Sequence, residues 1–388
     1  MSTVASLPET VADTARVSRA PRVFTASKIP VFVALGVFVV LFVYGQIDYG
    51  KFFTMGTFST LFNQNAYLII LAVGMTIPIL TGGIDLSVGA IVAFSSVVGG
   101  VLLTHGVPWY LAAIIIVLIG SLFGLISGTL IRFFDMQPFI ATLAMQFVGS
   151  GLAAIITVNP IQLTTGSAGK IQNLNYMIMI HKGYRANDLK ISVGFIIAII
   201  MVLIAYWVMH QTRAGRTIYA MGAPEKQSAG LMGLSTGSSR SLIYLLSGTF
   251  AGVASVVYVA STGSAANTTG QGWELNAITA AVIGGTVITG GSGYVVGSLI
   301  GAMVYAAIVL VIQRNGTIPS TLLTVIIGAV LLIFVVLQRL IGLAAQRRTI
   351  GDTAGSDEVS GGPPPGEAAV PKDGLIPPEA QVSKASSA

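Results

Sequence analysis

The stretch Leu80-Thr81-Gly82-Gly83-Ile84-Asp85-Leu86-Ser87-Val88-Gly89-Ala90 puts a glycine pair and a carboxylate between two long apolar runs. A plain membrane anchor has no use for either. An ionisable group surrounded by hydrocarbon is costly and tends to mark a pathway or a partner, and paired glycines mark a turn, a close approach of backbones or a hinge.

The flanking runs belong to a series. Ten apolar segments can be drawn, at residues 30–46, 63–80, 86–104, 108–131, 138–158, 191–210, 241–261, 275–289, 294–313 and 319–338. Most approach the roughly 20 residues that a helix needs to cross about 30 Å of hydrocarbon. With 9% charged residues, 54% hydrophobic residues and a mean hydropathy of +0.84 over 388 residues, the chain is no soluble globule, whose charged share is roughly a quarter. The expected fold is all-α, a polytopic membrane protein of about ten transmembrane helices, since helices satisfy their own backbone hydrogen bonds inside lipid.

An even number of spans puts both termini on one side. With the N-terminus inside, the inner segments hold Arg16, Arg19, Arg22, Lys28, Arg132, Arg213, Arg216, Lys226, Arg240, Arg339, Arg347, Arg348, Lys372 and Lys384, and the outer ones Lys51, Lys170, Lys182, Arg185, Lys190 and Arg314. This asymmetry orients both termini towards the cytoplasm. It also accounts for the net charge of +6 without nucleic acid as a partner. No cleavable signal peptide is read in residues 1–29. The absence of cysteine removes disulfides, thiol nucleophiles and thiolate metal sites.

Two loops are long enough to have structure of their own. The one at 159–190 lies outside, and the one at 211–240 lies inside, with small residues at near-helical spacing from Ala220 to Leu234. From 341 to 388 the composition turns to Gly, Pro, Ser, Ala and acidic residues, which predicts a disordered cytoplasmic tail. The opening stretch has an echo: Thr81, Gly82, Gly83, Val88 and Gly89 recur as Thr289, Gly290, Gly291, Val296 and Gly297. Glycine-broken apolar segments at matching places in two halves are a pointer to a transport pathway.

No enzyme site emerges. His105, His181 and His210 are scattered without metal-ligand spacing, and Gly45, Gly50 and Lys51 imitate a phosphate-binding loop but are followed by Phe52 where a Ser or Thr must hold Mg²⁺. Asp85 has two compatible readings, as the N-cap of a helix beginning at Leu86 and as a pathway or hinge group. Gly82 and Gly83 form a turn or a hinge. Asn63, Asn65 and Gln146 are amides able to bond a polar solute or a neighbouring helix, and Trp273 and Glu274 read as an interfacial anchor with a helix-start acid, or as a docking or gating pair.

At this point the residues resemble a known family. Gly82 to Gly89 looks like the signature of permease subunits of bacterial ABC importers for monosaccharides, of the ribose, xylose and galactose type. Ala220, Gly222, Ala229, Gly233 and Leu234 resemble its ATPase-coupling segment, to which Arg213 and Arg216 lead. Gly272 to Leu275, Ile278, Ile283 to Thr286 with Gly284 and Gly285, Gly290, Gly291, Gly293 and Gly297 are similar to its C-terminal half. The likeness covers residues 30–340 and is nearest to galactofuranose and fructose importer permeases. Ala223-Pro224 departs from the usual Gly-Asn, and the Pro-rich tail is no part of the pattern.

The resemblance implies a permease bundle in the bacterial plasma (inner) membrane, in contact with membrane lipid. It would pair with a second identical or similar permease, a cytoplasmic ABC ATPase that holds ATP and Mg²⁺, and an extracytoplasmic sugar-binding protein. The chain itself would bind no cofactor and would translocate a monosaccharide. Two other readings stay open: a secondary transporter with Asp85 as its proton or cation site, and an ABC permease for amino acids or another solute.

Overall fold

The computed structural model describes residues 29–50, 52–163, 170, 177–180, 189–222, 236–316, 319 and 322–340. Nearly all of residues 1–29, Ala229, Gly233 and Leu234 of the expected coupling segment, and the tail at 341–388 lie outside them. The helices run α1 Ile29–Tyr49, α2 Met55–Gln64, α3 Ala66–Leu80, α4 Val88–Thr104, α5 Trp109–Phe133, α6 Pro138–Ile156, α7 Val193–Gln211, α8 Arg213–Gly222, α9 Thr236–Thr262, α10 Trp273–Ile283, α11 Val295–Asn315 and α12 Leu322–Leu340. Local sequence explains many starts. Thr54 and Ser192 cap α2 and α7 by accepting from the amides of Thr57 and Phe195, and Pro138 opens α6, where its missing N–H costs nothing.

Among the described residues seven helices are long and apolar enough to cross a membrane, and α2 with α3 makes an eighth, bent by 52°. The helical membrane fold expected from hydropathy is therefore present, with two differences of shape. The second span starts at Met55, not Asn63, and kinks at Asn65, whose backbone leaves the helical region and whose side-chain amide donates to the Leu61 carbonyl. The third and eighth segments are short helices of 17 and 11 residues. At 1.5 Å per residue, α10 rises only about 16 Å, and hydropathy counted its apolar flanks as if they were helix.

α3 is the centre of the bundle. Every one of its residues except Tyr67 is buried, and it packs against α7, α9, α10 and α11. α1, α5, α6, α7 and α12 turn rows of large apolar side chains outward, as lipid-facing helices do. α5 and α9 meet along a seam of close backbone contacts: a Cβ on Gly120, Gly124 or Gly128 would strike the backbone at Gly248, Tyr244 or Ser241, and one on Gly248 would strike Gly120, while the Ser121 and Thr249 hydroxyls bond across it at 2.8 Å. Small residues permit such backbone contact between membrane helices.

Short strands occur only in connections. β1 Ile161–Gln162 pairs with β4 Ser264–Ala265, and β2 Met177–Ile180 pairs with β3 Leu189–Ser192, both antiparallel.

Candidate functional site

The two glycine-broken stretches meet in space. After α3 the chain turns at Thr81 and Gly82, and Gly82 has φ 74°, open to glycine at no steric cost. The second break, between α10 and α11, turns through Gly290 and Gly291, and the Gly291 amide donates to the Leu80 carbonyl at 2.8 Å. A Cβ on Gly290 would crowd the Gly82 amide. The five-residue echo therefore marks two segments that dock on one another. Further along, Gly284 and Gly297 are in backbone contact, so the end of α10 meets the first turn of α11. Gln338 of α12 donates to the Val282 carbonyl at 2.8 Å, which satisfies the buried end of α10.

α8 presses on this junction. Gly222, its last residue, lies so close to the Leu80 carbonyl and the Gly291 amide that no Cβ fits. Three residues earlier, Tyr219 donates its hydroxyl to the Gly293 carbonyl at 2.8 Å. Burial, with Tyr294 nearby, pushes the Tyr219 phenol up to about 12. Arg213 and Arg216 are exposed, while Ala220 is half-buried. A cavity of about 490 Å³ opens beside the first break, lined among others by Gly83, Gln137, Arg240 and Tyr244.

Asp85 lies in the first break and is fully buried. Its Oδ1 accepts from the Ser87 amide at 3.0 Å and the Ser87 hydroxyl at 2.5 Å, an Asx turn one step ahead of the helix. The helix itself opens at Val88 after Ser87, not at Leu86. Asp85 thus shapes the approach to α4 and is not its N-cap. Oδ2 has no partner, nor do the hydroxyls of Tyr244 and Ser247, which neighbour the carboxylate. The phenol oxygen of Tyr244 sits where a Gly83 side chain would be.

Gln146 and Glu274, distant in sequence, are joined: Gln146 Nε2 donates to Glu274 Oε1 at 3.1 Å. Glu274 is buried in the first turn of α10 and touches the place where Gly89, in the first turn of α4, has no side chain. Trp273 stacks on Tyr67 with centroids 4.4 Å apart and takes Tyr258 edge-on at 4.8 Å. Tyr67 and Tyr258 carried no signal in sequence; their only hint was the aromatic beside Glu274.

The other two amides are elsewhere. Asn63 is spent on β3, donating to the Lys190 carbonyl at 2.8 Å and accepting from the Ser192 amide at 2.8 Å. Asn65 serves the bend, although it also borders a cavity of about 150 Å³ with Gln64, Tyr67 and Gln313. Gly285 has φ 93° and packs against Pro30 of α1. Among the described residues no group of three or more His, Asp or Glu could hold a metal ion.

Comparison with known proteins gives this geometry its setting. Residues 57–336 match the family described as branched-chain amino acid transport system / permease component. The chain is 49% identical over 311 residues to the fructose import permease protein of Bifidobacterium longum, covering 80% of this chain and 91% of that one. It is 34% identical to an inner membrane ABC transporter permease protein of Escherichia coli, over 80% of this chain and 92% of the relative. The ribose import permease protein of the same organism is 34% identical over 66% of this chain and 77% of its own length. No solved structure matches. The chain therefore belongs to this permease family, as a multi-pass membrane subunit of an ABC-type sugar importer.

Proposed function

We propose that the chain carries a monosaccharide across the bacterial inner membrane as one of two permeases, identical or similar, with both termini in the cytoplasm. A partner ABC ATPase supplies the energy and holds ATP and Mg²⁺, an extracytoplasmic binding protein delivers the sugar, and this chain binds no cofactor. Residues 30–340 form the permease domain. Fructose is the first sugar to test, because a relative at 49% identity is named for its import.

One observation carries the mechanism: Gly222 and Tyr219 of α8 bear on both glycine-broken stretches at once. α8 belongs to the 211–240 coupling loop, with Arg213, Arg216 and Ala220 here and Ala229, Gly233 and Leu234 beyond. When the ATPase closes on this loop, the push reaches the Leu80–Gly291 junction directly. Gly82, Gly83, Gly284 and Gly285 act as hinges between two packings of α3, α4, α10 and α11. Asp85 holds the shape of the moving turn.

The test is Gly222→Leu, alongside Gly233→Leu, in the complete complex reconstituted with its binding protein. Both variants insert and hydrolyse ATP, but sugar taken up per ATP falls at least tenfold. Uptake per ATP equal to wild type in both would remove the coupling role. The family description, which names branched-chain amino acids, supports a second reading of the cargo. Melting of the partner binding protein with fructose, ribose and leucine separates the two: only the true cargo raises its midpoint.

A further inference from the structure

The half-helix α10 is followed by the turn whose Gly291 docks on Leu80, and it rises only about 16 Å, roughly half the hydrocarbon thickness. Its first turn, with Trp273 and Glu274, therefore lies near mid-depth in the bundle. α4 begins at the same place. Gly89 in its first turn faces the Gly270 carbonyl and Glu274 Oε2 so closely that a Cβ has no room. Two helix N-termini, each with unsatisfied amides and a positive dipole end, thus converge on one carboxylate.

Capping alone does not explain this carboxylate. Glu274 is only 8% exposed, Gln146 occupies Oε1, and Oε2 is buried without any partner. Buried polar atoms are nearly always paired, and an exception asks for a function or an absent ligand. The surroundings say which ligand. Trp273, the residue before Glu274, forms a contiguous cluster of three half-buried rings with Tyr67 and Tyr258, and the Gln146 amide bonds the carboxylate itself. A ring bearing several hydroxyls needs this mixture: acceptors and donors for the hydroxyls, and an aromatic face, negative at its centre, for the weakly positive C–H side of the ring. A wholly hydrophobic cargo would leave the carboxylate and the amide unpaired.

We propose that Glu274, Gln146 and the Tyr67, Tyr258 and Trp273 rings form the mid-pathway contact site for the transported monosaccharide, whose hydroxyls donate to Glu274 Oε2 when α4 and α10 part at Gly89. This rests on the sugar-import reading above. It adds that the permease itself discriminates between sugars, instead of leaving all selection to the binding protein. Gly89 and Gly270 let the start of α4 and the turn before α10 touch backbone to backbone.

The experiment uses the complete complex in nanodiscs, without binding protein, titrated with D-fructose, D-ribose, D-allose and, as a control, L-leucine. Trp273 is one of three tryptophans in the chain. Its fluorescence should change saturably with the transported sugar at millimolar concentration and not with leucine. The change should vanish in Trp273→Phe, and half-saturation should rise at least tenfold in Glu274→Gln. In proteoliposomes with binding protein, Glu274→Gln and Gln146→Leu should alter the ratio of uptake rates for two sugars at least threefold. If wild type imports sugar while both variants keep the wild-type ratio and half-saturation, the site is refuted and the import reading stands. If wild type imports leucine and no sugar, the import reading fails and the site with it.

Discussion

Asp85→Leu and Asp85→Asn separate the shape of the first break from its charge. Asp85 is fully buried, and its Oδ1 is the acceptor for both the amide and the hydroxyl of Ser87. Leucine has a similar branched shape, a larger volume and no acceptor, so two donors lose their partner in a region closed to water. Each such loss costs about 1–3 kcal/mol, and together they reach roughly 2–6 kcal/mol, a large share of the ~5–15 kcal/mol that holds a typical domain together. Asparagine keeps an oxygen at the Oδ1 position. Its amide nitrogen takes the place of Oδ2, beside the hydroxyls of Tyr244 and Ser247, which lack partners and can accept. The expected cost is within about 1 kcal/mol, because Asn and Asp are nearly equivalent where the side chain accepts from a nearby amide. The assay is thermal unfolding of the purified complex together with uptake in proteoliposomes, normalised to inserted protein. Asn should retain most of wild-type uptake and Leu should lose it. If Asn loses as much as Leu at equal insertion, the negative charge is itself required and the turn-holding account is wrong.

Asn63→Ala should loosen β3 while the helices stay inserted. It removes a side chain that bonds both Lys190 and Ser192, leaving Ser59 alone on the Lys190 carbonyl, at a local cost of about 1–3 kcal/mol, and trypsin should cut faster after Lys190; an unchanged cleavage rate contradicts the role. Tyr219→Phe should lower stability by about 0.5–1.5 kcal/mol through loss of the bond to Gly293. The phenol is pushed up to about 12 in the fold, so it remains a donor and the gap between wild type and variant is constant from about pH 6 to 9. Above about pH 10 the unfolded chain ionises first, binds fewer protons than the native state, and the gap narrows. A gap that varies between pH 6 and 9 would show that another group controls the contact.

Hydropathy made the number and order of the apolar segments legible, but it could not tell a full span from a half. α10 looked like a span because Gly284 to Thr289 is uncharged, yet those residues have left the helix and lead into the turn at Gly290 and Gly291 that meets Leu80. The echo between Thr81 and Thr289 was visible as identity, and its meaning as physical contact appeared only with the Leu80–Gly291 bond. Glu274 was visible as a helix-start acid beside Trp273, but Gln146 reaches Glu274, and Tyr67 and Tyr258 reach Trp273, from three other helices, and no local pattern reports such long-range meetings. Asn63 was misleading for the same reason. An amide in an apolar run advertises that it needs a partner, without saying whether that partner is cargo or the protein's own strand.

The glycine seam between α5 and α9 has a mechanical meaning. Side chains interlocked across a helix pair can change rotamer and let the pair slide, but two backbones in contact at Gly120, Gly124, Gly128 and Gly248 have no such slack. These two helices, 25 and 27 residues long, are the longest among the described residues, and together they form one stiff keel. If α3, α4 and α10 shift as proposed above, α5 with α9 is the reference frame against which their travel should be measured.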